Sequence, residues 1–364
     1  MAERLRVVLD LTSAAKPHRG GVQNYIINLV RALADHVPDI EVVPAIRASH
    51  LRARKHLAEF APVRVLLPFR RFGTRVYHAP AVKLPWTLPG CRRIVTIHDL
   101  GVFDVPELYD PEWVRSRRRR IAQAVRRADG IIVYTRHTSD RLKRVFPRYD
   151  RRIAVTPLGV DHLRFSASPQ PEDEETVARL GIDRPYVLAV GALSRRKQPE
   201  ALVRGFAASS HAHRAALILV GKAVEEQEWA LRAAVRDAGI EASVCLLGYV
   251  PDSVLPALYR RARAFVFASK YEGFGLPVLE AMACGAPVLT TKAGCLGEVA
   301  GDAAHYFSPD DPHSLGLELD KVFTADRRKA LENLERGVAW SRRFTWQRTA
   351  ELTAACYRGI RGPR

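Results

Sequence analysis

Short apolar runs alternate with amphipathic segments along this chain, and the alternation breaks once and starts again. "RLRVVLDLTS" reads as a buried strand, followed after Gly20-Gly21 by the helix pattern "GVQNYIINLVRALADH". "RRIVTIHDL" is another strand and "EWVRSRRRRIAQAVRRADG" a helix closed by Gly130. "IIVYT", "HTSDRLKRVF" and "RIAVTPLGVD" continue as strand, helix and strand. Such repetition implies a parallel sheet covered by helices on both faces. The polar, acidic stretch "SASPQPEDEE" interrupts it, and the pattern resumes with "YVLAVGAL", "AALILVG", "SVCLLGYV", "RAFVFAS" and "PVLTT". The expectation is two doubly wound α/β domains, residues 1–165 and 179–344, joined by a linker over 166–178. A last helical segment, 345–364, is expected to pack back on the first domain. At 364 residues the chain also exceeds the size at which one core keeps growing.

Several classes are set aside by composition. The five cysteines are scattered, with no CxxC pair, which argues against a disulfide framework or a structural zinc. "MAERLRVVLDLTS" lacks the apolar core of a secretory signal, and no 18-residue apolar run is present. A cytoplasmic enzyme, with contact at the inner face of a membrane as an option, is the starting class. Charge is placed unevenly. Residues 1–165 hold 31 Lys+Arg against 15 Asp+Glu, whereas the remainder holds 26 against 24. The basic first half therefore suggests an acidic partner.

The stretch "YEGFGLPVLEAMACGAPVLTT" is chemically the most informative. Pro277 suits the first turn of a helix, where its missing N–H costs nothing. Gly273 and Gly275 let backbone approach a ligand, and the helix start offers free N–H groups and the positive end of a dipole. That combination fits a diphosphate. Glu280, one turn in, can accept both hydroxyls of a ribose, and Glu272 can hold sugar hydroxyls. Phosphate to the amides and hydroxyls to the carboxylates describes a nucleotide sugar. A dipole-favouring Glu280 and a solvated Glu272 would explain the glutamates alone.

"EGFGLPVLE" resembles the E-x7-E signature of the retaining glycosyltransferases of family 4, which have the GT-B fold. "GALSRRKQP" resembles that family's phosphate-binding segment, and "LGYVPDSVLPALYRRARAFVFAS" its base-recognition stretch. "HRGGVQNY", "TIHDL", "TPLGVD" and "GEVAGDAAHYFSPDDP" fall in the same order. The resemblance implies two Rossmann-like domains facing each other across a cleft, with the donor on the second. It implies roles for His98, Arg196, Lys197 and Glu272 in catalysis. Gly20, Gly21, Gly191, Val250, Gly273, Phe274, Gly275, Leu276 and Glu280 would bind the donor. Many members carry arginine directly after the strand glycine, where this chain has Ala192, so Arg196-Lys197 would supply the charge. Arg offers a fork and Lys a point charge to the leaving diphosphate.

No metal or other cofactor is implied, and no DxD motif is present. The implied reaction is retaining transfer of a sugar, best matched by mannose from GDP-mannose, to a glycan or lipid-linked hydroxyl. A UDP- or dTDP-sugar donor, or a sugar-nucleotide epimerase of the same fold, is the alternative. A basic nucleic-acid-binding protein is a more distant one, unsupported by any recognisable nucleic-acid motif. The arginines of Arg115–Arg127 line a helix whose stripe Val114, Ile121, Ala122, Val125 and Ala128 is expected to be buried, leaving the arginines outward. A solvated face explains them, as does contact with anionic lipid at about 1 kcal/mol per basic residue.

Overall fold

The protein is described by a computed structural model covering residues 4–15, 20–60, 62–66, 75–84 and 90–360. It divides into two compact units, 1–159 with 344–364, and 160–343.

The first unit is built on seven strands: β1 Leu5–Asp10, β2 Ile40–Arg47, β3 Arg64–Leu66, β4 Val76–Ala79, β5 Arg92–Thr96, β6 Gly130–Val133 and β7 Arg152–Val155. All pairings are parallel, in the order β3-β2-β1-β4-β5-β6-β7. The connections carry α1 Gly21–His36, α2 Gly101–Asp104, α3 Pro111–Arg127 and α4 Arg136–Val145. Strands covered on both faces are mostly apolar, and β4 and β6 are buried at every position. Helix α3 starts where Asp110 accepts a bond from the Trp113 amide at 2.8 Å, with Pro111 in the first turn. Its buried residues are Val114, Ile121, Ala124 and Val125. The expected stripe is thus shifted, with Ala124 rather than Ala122 inside. Nor do all its arginines point outward. Arg117 and Arg118 flank the stripe and are partly buried, and Arg118 Nε donates to the Val102 carbonyl at 2.7 Å.

The second unit repeats the plan with β8 Tyr186–Val190, β9 Ala216–Val220, β10 Val244–Gly248, β11 Ala264–Phe267, β12 Val288–Thr290 and β13 His305–Tyr306. Their order is β10-β9-β8-β11-β12-β13, again parallel. Helices α5 Asp173–Ala178, α6 Pro199–Ala207, α7 Glu225–Asp237, α8 Leu255–Arg261, α9 Leu276–Ala283, α10 Leu296–Ala300, α11 Pro312–Phe323 and α12 Arg327–Ser341 complete it. Val187, Leu217, Leu219, Val266 and Leu289 line its core with essentially no exposure, each contributing about 1.5–3 kcal/mol by leaving water. The stretch 166–178, read from composition as a linker, lies within this unit. Its acidic residues start α5, and the Asp173 carboxylate takes Nε and Nη2 of Arg260 on α8 at 2.6 Å each.

After α12 the chain returns to the first unit as α13, Trp346–Gly359, capped by Thr345. Ala350, Thr353, Ala354 and Tyr357 form its buried side, and the helix packs on α1. Arg358 makes two hydrogen bonds to Asp39, at 2.9 and 2.7 Å.

Candidate functional site

In the second sheet β8 and β11 are neighbours, and the chain leaves them in opposite directions along the sheet. Their carboxyl ends mark the topological switch point, the place where doubly wound sheets bind ligands. Gly191 follows β8 and Ser269 follows β11. Backbone packs unusually close here, since a Cβ on Gly221 would lie 1.9 Å from the Gly191 carbonyl oxygen. Glycine at 221 thus sets the position of Gly191, and Lys197 lies alongside it.

At this switch point Glu272, Arg196 and Lys197 form one cluster. Glu272 Oε1 is 2.5 Å from Arg196 Nη1 and 2.6 Å from Lys197 Nζ, and it accepts from the Ser269 hydroxyl at 2.8 Å. Arg196 Nη1 also donates to the Tyr271 carbonyl at 2.5 Å. The Lys197 ammonium sits 3.8 Å from the centre of the Phe267 ring, within cation–π range. Burial by itself would raise the Glu272 carboxyl, but Lys197 and Arg196 outweigh it and hold it down at about 2. Burial lowers the Lys197 ammonium to about 8, against the pull of Glu272. Two cations and one carboxylate leave the cluster with an excess positive charge, partly withdrawn from water.

The following turn ends at Gly275, whose φ of 95° places it in the left-handed region as the N-cap of α9. A side chain there would be strained, and its Cβ would meet Leu296 at 2.7 Å. Leu276 and Pro277 then open the helix; Pro277 has no N–H to leave unpaired, and the Val278 amide donates to the Gly275 carbonyl at 3.0 Å. Phe274 is buried, Gly273 partly so, and the Cys295 thiol donates to the carbonyls of Glu272 and Phe274 at 3.0 and 3.4 Å. Glu280, one turn along α9, receives the Tyr259 hydroxyl at 3.3 Å. Burial pushes its carboxyl up to about 7, with the Arg164 guanidinium opposing the rise. Val250 is buried just beyond β10, on the segment that Gly248 ties to Gly221 through a 2.7 Å backbone bond.

The remaining expected residues belong to the first unit. Gly20 caps α1, its N–H donating to Gln23 Oε1 at 3.1 Å, and Gly21 is the first helical residue. His18 and Arg19 of the same loop lie outside the described residues. His98 follows β5, with both ring nitrogens engaged: Nε2 to the Pro80 carbonyl at 2.8 Å and Nδ1 to the Tyr134 hydroxyl at 2.6 Å. Burial, with the charge of Arg117, lowers it to about 4. Asp99 accepts from the Gly101 amide at 3.0 Å, closing the turn that leads into α2.

The second unit therefore gathers Gly191, Arg196, Lys197 and Glu272, while Glu280 has its own environment against Tyr259. Sequence reasoning missed Ser269, Phe267, Tyr259 and Tyr134. Ser269 had a readable signal, a hydroxyl three residues before Glu272 at the end of a strand. The others touch the site only through pairing between strands or helices. Among the described residues, no group of three His, Cys, Asp or Glu side chains is arranged to hold a metal ion, and no helix is long and apolar enough to cross a membrane.

The family described as glycosyl transferases group 1 matches residues 172–336, which contain every second-unit residue discussed except Arg164. The chain is similar to the O-antigen chain mannosyltransferase B of Escherichia coli, 29% identical over 384 residues that span 96% of this chain and 99% of that protein. It is 30% identical over 302 residues to the D-inositol 3-phosphate glycosyltransferase of Corynebacterium jeikeium (strain K411), covering 76% of this chain and 70% of the relative. Sucrose-phosphate synthase from Thermosynechococcus elongatus superimposes with a TM-score of 0.76 at 20% identity, over 98% of this chain and 99% of its own. That structural likeness shows the GT-B fold. With the Arg196–Lys197–Glu272 cluster at the switch point of a GT-B fold, the chain belongs to the group 1 glycosyl transferases, enzymes that take a sugar from a nucleotide donor.

Proposed function

We propose that this enzyme transfers a hexose with retention from a nucleoside diphosphate sugar to a hydroxyl of a glycan or lipid-linked acceptor. The observation that carries the reading is the pair Arg196 and Lys197 held on Glu272 beside the start of α9. The two cations and the helix-start amides meet the diphosphate, an electrostatic role that grows as negative charge develops on it. The bond from the anomeric carbon to the phosphate oxygen breaks, and its electron pair leaves with the nucleotide. The acceptor oxygen bonds on the same face, and its proton passes to the departing phosphate. Glu272, kept ionised by its two cations, orients the sugar hydroxyls. Glu280 receives the ribose, Val250 reads the base through its backbone, and Gly191 with Gly273 to Leu276 gives the diphosphate room. Gly20 and Gly21 are read as donor-binding residues and His98 as a residue of the transfer step.

Likeness to the O-antigen chain mannosyltransferase of Escherichia coli supports GDP-mannose as donor, whereas likeness in fold to a structure solved with UDP-glucose supports the alternative, a UDP- or dTDP-sugar. The acceptor is anionic or held at an anionic lipid surface. That reading rests on the basic first 165 residues and on Arg115, Arg119, Arg120 and Arg126, exposed on the helix whose first turn holds Trp113, 47% exposed and stacked on Tyr109.

Titration of GDP, UDP, ADP and dTDP against thermal unfolding is the direct test. A nucleotide at about a hundred times its dissociation constant adds roughly 2.7 kcal/mol. Stabilisation by one nucleotide, abolished by Glu280→Ala, is expected. Stabilisation that survives that substitution unchanged refutes the placement of the ribose. The anomeric configuration of the product, read by proton NMR, decides retention.

A further inference from the structure

His98 is held in a way that specifies its protons. A backbone carbonyl can only accept, so the 2.8 Å contact to Pro80 requires the proton on Nε2. In a neutral ring Nδ1 is then an acceptor, and the Tyr134 hydroxyl, 2.6 Å away, is its donor. Tyr134 directly follows β6, and His98 lies two residues beyond β5. The bond from the Ile97 amide to the Ile132 carbonyl sets these two strand ends level. Tyr25 of α1 packs edge-on against both rings, 5.8 Å from His98 and 5.1 Å from Tyr134. Its hydroxyl lies 3.1 Å from that of Thr96, which is 2.8 Å from His78 Nε2. His78 is fully buried, and its Nδ1 meets the Tyr357 hydroxyl of α13 at 2.7 Å. The pair thus rests on a packed floor of aromatic rings and hydrogen-bonded polar groups drawn from α1, β4, β5 and α13.

We propose that Tyr134 is the positioning residue for His98: the Pro80 carbonyl fixes the proton on Nε2, and the Tyr134 hydroxyl, donating to Nδ1, holds the neutral ring in place, so that His98 serves transfer as a shaped, uncharged group rather than as a base. The inference rests on the reading of His98 as a residue of the transfer site. Its specific content is the division of labour. A base needs an unengaged nitrogen aimed at the acceptor hydroxyl, and neither nitrogen of His98 is available for that. Loss of the Tyr134 hydroxyl leaves Nδ1 without its donor and frees the ring to turn or to take up a second proton. Such a change costs turnover while leaving nucleotide binding by the second unit in place.

Nitrogen-15 NMR of the histidine side chains in the full-length protein, with His98 assigned by His98→Ala, tests the wild type directly. A single neutral form protonated at Nε2 is expected at pH 7. A proton on Nδ1, or a charged ring, overturns the proposal whether or not any variant folds. In Tyr134→Phe the ring should keep its proton on Nε2, held by Pro80, while the Nδ1 resonance shifts on losing its donor. Release of sugar from GDP-mannose or UDP-glucose should slow at least tenfold in kcat, with the nucleotide-induced thermal shift unchanged. If His98→Ala is inactive and Tyr134→Phe turns over normally, Tyr134 is not the positioning residue and the reading of His98 stands. If both variants turn over normally, the site assignment of His98 fails and the proposal with it.

Discussion

Gln198 takes a conformation that side chains avoid. Its φ of 54° makes it the one non-glycine with positive φ among the described residues, and it links Lys197 to Pro199 at the head of α6. Pro199 disfavours the right-handed helical region for the residue before it. The left-handed turn points Arg196 and Lys197 back towards Glu272. Gln198→Gly should therefore stabilise the protein by about 1 kcal/mol, measured by urea unfolding, because a left-handed side chain costs about 1–2 kcal/mol and glycine returns part of that as chain entropy. A second residue-scale expectation concerns Glu280. Its carboxyl titrates near 7 in the free protein, and ribose hydroxyls bind the ionised form. Nucleotide affinity should therefore fall about eightfold between pH 7.5 and pH 6, by isothermal titration, and Glu280→Gln should flatten that slope. At this scale the glycines and glutamates of 272–280 were legible because their chemistry is local. The tyrosine on His98 was not, because Tyr134 is 36 residues from it in sequence and reaches it only through the pairing of β5 with β6.

Elements were legible where apolar runs were short and clean. Strands β8 to β12 of the second unit fall within the runs read from sequence, since each is short, apolar and bounded by turn residues. Strand β2 is harder to see because Pro44 lies inside it, opposite Leu9 of β1, and proline argues against a central strand. Strand β4 hides for another reason. His78 and Tyr77 are polar-tipped yet fully buried, and each needs partners from distant segments, His78 from α13 and Tyr77 from Asp10. The 166–178 stretch misled by composition, since a charge that looks solvated can be one half of a buried pair. Asp173 and Arg260 side chains are only 8% and 9% exposed. Asp173→Asn should destabilise the second unit by about 3 kcal/mol, read by denaturant unfolding, because it strands a buried guanidinium. The double variant Asp173→Leu with Arg260→Met should recover most of that loss.

For the molecule as a whole, the charge asymmetry is a surface property that burial hardly changes, and only part of the arginine segment contributes. Arg117 and Arg118 are folded against the protein, leaving Arg115, Arg119, Arg120 and Arg126 outward along α3. Sedimentation with vesicles should show binding to phosphatidylglycerol-containing bilayers and none to neutral ones. Replacing the four exposed arginines with glutamine should abolish it, and replacing Arg118 should not.

The return of α13 to the first unit has a consequence for the order in which the protein is made. The second unit is one uninterrupted stretch, 160–343, whereas the first is split and draws its final helix from 344–364. While the chain emerges from the ribosome, the first 159 residues lack the helix that covers α1 and supplies Tyr357 to His78 until the whole of the second unit has been made. The half made first is therefore the half completed last. A fragment of residues 160–343 should fold cooperatively when expressed alone. Residues 1–159 should not, and linking 344–360 to them should restore a cooperative transition by calorimetry.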